Sequence, residues 1–353
     1  MHFTDGQGQA SMDDMHPTVT VAVPVYNGER FLRECLESVA AQSFVDYEVL
    51  VIDDGSTDSS PELMMEYARC DPRIRALRNS SNLGLARNWN ECMLQAQGKW
   101  VKFLFQDDRL DPRCLEVMMA ADQCDAGLIS CNRQFAFDDP DDTGNEYYRS
   151  TVRHLASTVA SGTFVPAEDF SCHILRFLTD NSVSINFIGE PSNMMIRRDV
   201  ILELGMFNPA LLQACDYEYW SRVGSNYGAV LVPEVLSQFR IHKLSTTAHN
   251  RDKRRFLTSL DLPAVLHDFL FAPVYWRFRQ AIGEAGRDRL HRYATKLLRH
   301  IQSEASAVTS TEEKGAWLRF LEMYPMYVDT VREPSFRDMS RTLRRYLKAK
   351  VCK

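Results

Sequence analysis

"VAVPVYNGERFLRECLESVAAQSFVDYEVLVIDDGSTDSS", residues 21–60, decides the fold of this chain. Two apolar runs of strand character, VAVPV and YEVLVI, enclose a segment whose apolar residues recur at helical spacing. Strands that are apolar throughout are typical of a sheet covered on both faces, so the stretch predicts a parallel β–α–β unit. Both predicted strands end in polar, turn-forming residues, which include the adjacent carboxylates Asp53 and Asp54.

The same alternation continues to residue 131. Further strands are predicted at RIRALRN (73–79), WVKFLFQDD (100–108) and AGLISC (126–131). Helices are predicted at PELMMEYARC (61–70), GLARNWNECMLQAQ (84–97) and RCLEVMMAADQ (113–123). Strands that alternate with helices in this way predict an α/β fold, in which a mostly parallel sheet with right-handed crossovers is flanked by helices.

The rest of the chain is less regular and then becomes helical. Residues 135–150, FAFDDPDDTGNEYYRS, are acidic and rich in turn formers, and they predict a mobile surface loop. Helices are predicted near 197–204 and 216–227, a strand at 228–241, and then only helices, at 253–269, 286–303, 312–323 and 336–350. These patterns predict a disordered leader (1–16), a domain (17–250) with halves that meet at residue 131, and a helical C-terminal region (251–353).

The composition is that of a globular protein, with 353 residues of which 45% are apolar and 25% charged. No uncharged apolar run reaches the roughly 18 residues of a membrane span, and the polar N-terminus lacks the features of a signal peptide. Nine cysteines are scattered without a C-x-x-C pair. Their spacing argues against a zinc knuckle or a redox dithiol, and it favours free thiols in a reducing cytoplasm.

The charge is distributed unevenly along the chain. Residues 251–353 hold 21 Lys/Arg and 12 Asp/Glu, which leaves 20 and 35 in the first 250 residues. Such an acidic body argues against nucleic acid as a partner. The basic terminal segment SRTLRRYLKAKVCK, residues 340–353, fits two interpretations: a peripheral contact with an anionic membrane surface, or a helix docked on the acidic body.

Polar residues concentrate where the predicted strands end. The carboxyl ends of parallel strands meet at one edge of an open α/β sheet, and ligands bind there. This edge has no glycine-rich phosphate cradle, but it has carboxylates at positions 53, 54, 107 and 108. Carboxylates suit a hard divalent cation that holds a diphosphate. Taken singly, DDGSTDSS and QDD fit solvated turns and a helix N-cap as well.

Taken in order, the strand-end motifs resemble those of the family 2 glycosyltransferases, an inverting group with the GT-A nucleotide-sugar fold. The resemblance covers residues 19–242 and rests on the opening stretch, NLGLARNWN (82–90), FQDD (105–108) and CDYEYWSRV (215–223). It implies metal-dependent transfer of a sugar, from a donor expected to be UDP-linked, to a saccharide or a lipid-linked saccharide. It also implies a cytoplasmic enzyme of surface polysaccharide synthesis, either free or on the inner face of the membrane.

The resemblance implies roles for individual residues. Asp216 would be the general base that takes the proton from the acceptor hydroxyl. Asp108 and His242 would bind Mn²⁺ or Mg²⁺. The donor would contact residues of successive loops: Pro24, Tyr26 and Asn27 around the base, Asp54 at the uracil or ribose, Asn82, Gly84 and Arg87 along the nucleotide, Asp107 at the ribose and donor sugar, and Glu190 beside the sugar.

Two departures from the family pattern keep other functions open. Gln106 stands where the strict D-x-D pattern has Asp, and Cys215 stands where the family often has Glu. Both departures fit a non-catalytic module that binds nucleotide sugars. A sugar nucleotidyltransferase would share the sheet, but it needs a glycine-rich, basic stretch after the first strand, which PVYNGERFL does not match. Asp216 and Glu218 also fit a helix start that is stabilised through its dipole.

Overall fold

The computed structural model describes residues 16–122, 125–139, 160, 162–179 and 188–327. Three sequence predictions fall wholly or largely outside these residues. They are the disordered leader up to residue 15, the surface loop from residue 140 onward, and the helix at 336–350 with the basic segment 340–353 around it.

The first half of the sheet has four strands: β1 (Val19–Val25), β2 (Tyr47–Asp53), β3 (Ile74–Arg78) and β4 (Trp100–Phe103). They are parallel and lie in the order β3-β2-β1-β4. The helices that connect or follow them are α1 (Leu32–Ala40), α2 (Ser60–Cys70), α3 (Leu85–Gln95) and α4 (Cys114–Ala120). Because α1 and α2 pack on one face and α3 on the other, every residue of β1, β2 and β4 is buried. This arrangement confirms the predicted α/β fold.

The second half of the sheet is mixed, and its strands are β5 (Arg109–Leu110), β6 (Leu128–Phe137), β7 (Thr163–Val165), β8 (Met194–Arg197) and β9 (Ala229–Ile241). β8 lies antiparallel between β4 and β6, and β9 runs parallel to β6. β5 and β7 pair antiparallel with β9. The β6–β9 register shifts at Asn132, and such a bulge re-aims the side chains beyond it. The long β9 thereby reaches the edge where β4 ends.

Two predicted boundaries in this region are wrong. The strand predicted at 100–108 ends at Phe103, because the chain turns and the Asp108 N–H donates to the Phe105 carbonyl at 3.0 Å. The loop predicted from residue 135 starts later, since pairing with β9 extends β6 to Phe137. A helix without a counterpart among the sequence predictions, α5 (Ala167–Thr179), follows β7.

The remaining helices are α6 (Arg198–Leu204), α7 (Cys215–Tyr227), α8 (Thr246–Lys253), α9 (Arg255–Ser259), α10 (Asp261–Phe271), α11 (Trp276–Ala307) and α12 (Thr311–Met323). α6, α7 and α12 confirm predicted helices closely. The single helix predicted at 253–269 is instead α9 and α10, because Pro263 has no N–H to continue the helical hydrogen bonding. The helix predicted at 286–303 is part of the longer α11, which kinks at Gly283, where φ is 62°.

The C-terminal helices share an apolar core with α7. The Tyr217 ring lies 6.4 Å from that of Phe269 in α10, which in turn lies 4.9 Å from Phe278 in α11. Tyr219 and Trp220 are fully buried in the same cluster. The division of the chain at residue 250 stays a prediction.

Among the residues that the structure describes, no single helix has both the length and the apolarity to cross a membrane. Within the same residues, one pair of helices meets these criteria jointly, Arg255–Phe271 with Pro273–Ala307, and it is bent by 68°.

Candidate active site at the carboxyl edge of the sheet

The loops that follow β1 and β2 are tied to each other at the carboxyl edge of the sheet. The Asn27 N–H donates to the Ser56 hydroxyl at 2.8 Å, and the Thr57 N–H donates to Asn27 Oδ1 at 2.9 Å. Asn27 has a φ of 49°, a left-handed conformation that Asn tolerates better than most residues. Tyr26 beside it is 47% exposed, whereas Pro24 is buried within β1. The turn therefore presents Tyr26 and Asn27 to solvent.

Gln106 holds this turn in place. Its Oε1 accepts from the Tyr26 N–H at 2.8 Å, and its Nε2 donates to the Tyr26 carbonyl at 3.0 Å. A Cβ at Gly28 would lie 2.3 Å from Gln106 Oε1, so a larger residue there would displace the Gln106 side chain. An aspartate at 106 could not donate to the carbonyl. The departure at position 106 thus has a structural role that sequence reasoning missed.

Asp54 and Asp53, at the end of β2, organise the neighbouring loops. Asp54 is 2% exposed, and its oxygens accept from the Asn79 side chain at 2.8 Å and from the N–H groups of Leu83 and Gly84 at 2.9 and 3.0 Å. Asp53 accepts from the Ser56 N–H and pairs with Arg78. Direct contact of Asp54 with a nucleotide stays a prediction; the structure gives the carboxylate the role of loop anchor.

The loop that Asp54 anchors carries the other predicted nucleotide-binding residues. Gly84, with a φ of 87°, stands immediately before α3 in a conformation that favours glycine. Asn82 and Arg87 are exposed on the loop and on the first turn of α3. Their contact with a nucleotide stays a prediction, and both side chains are accessible for it.

The adjacent carboxylates Asp107 and Asp108 point to different environments. Asp108 is 1% exposed; one of its oxygens accepts from the Ser192 hydroxyl and the other from the Arg240 N–H at 2.9 Å. Burial and the neighbouring Asp107 raise the pKa of Asp108. Asp107 is 20% exposed, and its Oδ2 lies 2.8 Å from His242 Nε2.

Arg240 fixes the turn that carries these carboxylates. Its Nε donates to the Asp107 carbonyl at 2.9 Å, and its terminal nitrogen pairs with Glu34 at 2.8 Å. The guanidinium lies 4.5 Å from the centre of the Phe31 ring, and the His242 ring lies 4.9 Å from the same ring. β9 therefore places Arg240 and His242 together against the turn after β4.

The donor set at this edge fits a metal that is only partly held by protein. The structure shows, in the residues it describes, no group of three or more His, Cys, Asp or Glu arranged to hold a metal ion. Asp107 and His242 are in contact, whereas the oxygens of Asp108 are taken up by Ser192 and Arg240. Mg²⁺ in such sites commonly takes one or two protein ligands and completes its shell with substrate phosphates and water. The assignment of Asp108 as a metal ligand stays a prediction, and the geometry favours Asp107 instead.

Glu190 lies in the segment before β8 and forms a buried ion pair. Its Oε2 pairs with Arg133 Nε at 2.6 Å, and both side chains are buried. The charge of Glu190 raises the pKa of Asp108 and also that of Asp216. Ser192, two residues after Glu190, donates to Asp108, so this segment contacts the turn after β4.

Asp216 lies in the first turn of α7 and is partly buried. Burial raises its pKa to about 7, against the opposing effect of the Tyr217 N–H, which donates to Asp216 Oδ1 at 2.6 Å. A carboxylate stabilised only by a helix N-terminus would have a lowered pKa, so burial dominates. A pKa near neutrality suits a general base.

Glu218, two residues further along α7, has a structural role. It forms a buried ion pair with Arg222 at 2.8 Å and accepts from the Tyr275 hydroxyl at 2.7 Å. From sequence, Glu218 and Asp216 form one group of acids at a helix start. The structure separates them, because only Asp216 is accessible at the site.

The family of the chain follows from a match that covers just over half of it. Residues 20–204 match the family model described as Glycosyl transferase family 2. The chain belongs to glycosyl transferase family 2. Membership confirms the family that the strand-end motifs resemble and the enzyme class, glycosyltransferase, and it decides against a sugar nucleotidyltransferase. Asp216 and His242 lie beyond the matched residues, so their placement rests on the structure.

Curated proteins similar to this family 2 chain come from several bacteria. The uncharacterized protein MT1568 of Mycobacterium tuberculosis is 27% identical over 264 residues, which are 72% of this chain and 79% of that protein. The uncharacterized glycosyltransferase YibD of Escherichia coli is 33% identical over 141 residues, 40% of each chain. With YibD and other matching glycosyltransferases, the similarity spans less than half of the relative's length.

Two solved structures share the fold. S. aureus TarS 1-349 in complex with UDP-GlcNAc has a TM-score of 0.59 at 19% identity, over 89% of this chain and 83% of that TarS chain. Mannosyltransferase PcManGT from Pyrobaculum calidifontis, in complex with GDP-Man and Mn²⁺, has a TM-score of 0.51 at 19% identity, over 92% of this chain and 86% of PcManGT. The likeness confirms the GT-A fold with helices following it.

Proposed function

We propose that this chain is an inverting glycosyltransferase that moves a sugar from a nucleoside diphosphate donor to a saccharide or lipid-linked saccharide, as a step of surface polysaccharide synthesis. The observation that carries the proposal is the position of Asp216. This carboxyl has a pKa raised to about 7, in part by the charge of Glu190, and Ser192, two residues after Glu190, donates to Asp108 in the Asp107–Asp108 turn. A base and a diphosphate site next to each other are what direct sugar transfer requires.

The proposed reaction is a single displacement. Asp216, as the carboxylate, accepts the proton of the acceptor hydroxyl while that oxygen forms a bond to the anomeric carbon. The bond from the anomeric carbon to the diphosphate oxygen breaks on the opposite face, and the diphosphate leaves with the electron pair. Attack and departure on opposite faces invert the anomeric centre. Glu190, whose carboxylate pairs with Arg133 at 2.6 Å, would lie between the base and the departing diphosphate.

A divalent cation, Mn²⁺ or Mg²⁺, would be held by Asp107 and His242, and when bound it would offset the charge that grows on the departing diphosphate. Support comes from the contact between these two side chains at 2.8 Å and from PcManGT, which was solved in complex with GDP-Man and Mn²⁺. In this proposal the buried Asp108 holds the turn that carries Asp107, through its hydrogen bonds with Ser192 and Arg240.

The nucleotide part of the donor would lie over the turn after β1. Tyr26 is exposed and fixed through its backbone by Gln106, which suits it to stack on a base. Asn27 would contact the base, and Asn82 and Arg87 would contact the ribose and diphosphate. UDP is the proposed nucleotide, with support from the UDP-GlcNAc bound to TarS.

We expect Gln106→Glu to weaken UDP binding about tenfold, because a carboxylate cannot donate to the Tyr26 carbonyl and repels it. Titration calorimetry with UDP and Mn²⁺ measures the effect. Gln97→Glu is the matched control, since Gln97 is exposed and precedes β4 at the opposite edge of the sheet. Equal UDP affinity in wild type and both variants would contradict the role given to Gln106.

The proposed site of action is the cytoplasm, with a peripheral position on the inner face of the membrane as one form of it. The seven cysteines in the part of the chain that the structure describes are free thiols, as a reducing compartment requires. Contact with the membrane through residues 340–353 belongs to the proposal and concerns residues that the structure does not describe.

Turnover of UDP- and GDP-sugars tests the proposed function. We expect one donor to release nucleoside diphosphate with Mn²⁺, at a rate that EDTA lowers at least about tenfold. Asp107→Asn should require more Mn²⁺ for half-maximal rate, whereas Asp71→Asn, in a surface ion pair with Arg73, should behave as wild type. No nucleoside diphosphate release from any donor, with or without a saccharide acceptor, would overturn the proposal.

A further inference from the structure

A buried carboxylate of the C-terminal helices accepts hydrogen bonds from the loop that leads to Asp216. Asp261, at the start of α10, is 4% exposed. Its Oδ2 accepts from three successive backbone N–H groups, those of Leu212, Gln213 and Ala214, at 2.9, 2.5 and 3.0 Å. Successive N–H groups that converge on one point form a nest for an anion, and here the chain supplies the anion itself.

The loop that donates to Asp261, residues 212–214, ends where α7 begins. Ala214 immediately precedes Cys215 and Asp216, so the path of the loop sets where the first turn of α7 and its carboxylate lie. Asn250 in α8 adds a second link to the loop, since its side-chain amide donates to Gln213 Oε1 at 3.0 Å. Elements that follow β9 thus hold the segment before Asp216.

We infer that Asp261 is a positioning residue for Asp216, which it serves by fixing residues 212–214, and that the C-terminal helices are in this way part of the transfer site. The inference rests on the proposed function, because it assigns Asp261 to the base of that reaction. If the role of Asp261 were purely structural, it would only cap the N–H groups of residues 212–214, and its substitution would change stability alone.

The charges around Asp216 give this inference a measurable signature. The charges of Glu190, which is paired with Arg133, and of Asp261 each raise the pKa of Asp216; the buried Cys215 thiol adjoins it in sequence. Replacing Asp261 by asparagine removes one of the two negative charges and keeps an oxygen for the loop. The pKa of Asp216 should therefore fall.

The experiment compares wild type with Asp261→Asn and Asp261→Glu. Asp268→Asn is the matched control, because it removes a charge from the same helix at a residue paired with His267, away from the loop. The measurements are the carboxyl ¹³C titration of Asp216, assigned by its loss in Asp216→Asn, the amide exchange of residues 211–216, and kcat and donor KM.

We expect Asp261→Asn to lower the Asp216 pKa by about half a unit or more, to speed amide exchange at 212–214, and to lower kcat about tenfold with donor KM within twofold. Asp261→Glu should keep the Asp216 pKa nearer to that of wild type, since it keeps the charge. Asp268→Asn should leave all four quantities unchanged.

Two results separate this inference from the proposed function. If the Asp216 titration and the loop exchange are the same in wild type and Asp261→Asn, the inference is wrong whatever the activity. If both change as expected but wild type releases no nucleoside diphosphate from any donor, Asp261 still positions Asp216, and the proposed reaction is the part that fails.

Discussion

Asp216→Asn should lower sugar transfer by about 10² to 10⁴-fold and leave the Kd for UDP within about twofold of the wild-type value. Asparagine keeps the size of the side chain but cannot take a proton from the acceptor hydroxyl. The nucleotide is proposed to bind around Tyr26 and Asp107, which belong to other loops, so its affinity should not change. Initial rates with the preferred donor, together with UDP calorimetry, measure both quantities.

The matched control for this substitution is Asp199→Asn. Asp199 also lies in the first turn of a helix, α6, and pairs with Arg197 on the surface. If the loss of transfer in Asp216→Asn came from a weakened helix start, Asp199→Asn would weaken its own helix start in the same way. Both variants would then be less stable than wild type, and the effect of Asp216→Asn would not be specific to transfer. Transfer by Asp216→Asn at a rate close to that of wild type would remove Asp216 from the role of base.

The stability of Asp216→Asn should also differ from that of wild type in a defined direction. Burial raises the pKa of Asp216 from its ordinary 3.8 to about 7, so ionisation of this group costs folding free energy as the pH rises through that interval. Asparagine does not carry this cost. Thermal unfolding should show the variant to be at least as stable as wild type at pH 8, which excludes misfolding as the reason for lost transfer.

The rate of transfer should rise with pH to a plateau above about pH 7. A general base works as the carboxylate, so each unit below its pKa lowers kcat/KM about tenfold, which amounts to roughly 100-fold at pH 5. Initial rates at low donor concentration between pH 5 and 9 measure the profile. The residual activity of Asp216→Asn should lack this acidic limb. A flat wild-type profile from pH 5 to 8, with the fold intact by circular dichroism, would contradict the assignment.

The part of the fold that the sequence predicted well is the part with local signals. β1 and β2 carry the apolar runs VAVPV and VLVI, and the helices between the strands carry their own periodicity, so neither signal depends on distant residues. The sequence pattern predicts one helix where the structure has α9 and α10, because the apolar helical pattern continues across Pro263. The antiparallel β8 in the middle of the sheet has no local signature of direction.

The candidate site was predicted in outline, but the roles of neighbouring residues were not separable from sequence. Asp107 and Asp108 are adjacent, yet one contacts His242 and the other is enclosed by Ser192 and Arg240. The turn after β4 determines which of the two consecutive carboxylates faces outward. The shape of this turn is set by strands that are distant in sequence. The glycine of YNG fits any tight turn, so it does not point to Gln106 from sequence, although the structure places the Gln106 side chain against it.

Asp261 illustrates a second limit of sequence reasoning. It lies in a different helix from Asp216, and its three contacts are to backbone groups of Leu212, Gln213 and Ala214. Backbone contacts do not constrain the side chains of the partner residues, so no motif marks them. The sequence pattern predicts a helical C-terminal region without a catalytic motif, whereas the structure brings a carboxylate of that region to the loop before Asp216.

A crystal structure of the protein with UDP and Mn²⁺ tests the central claim most directly. We expect the uracil to contact Tyr26 and the metal to be bound by Asp107, His242 and the diphosphate. The terminal phosphate of UDP should be directed towards Asp216. Nucleotide and metal bound together at a place that touches neither Tyr26 nor Asp107 would contradict this claim.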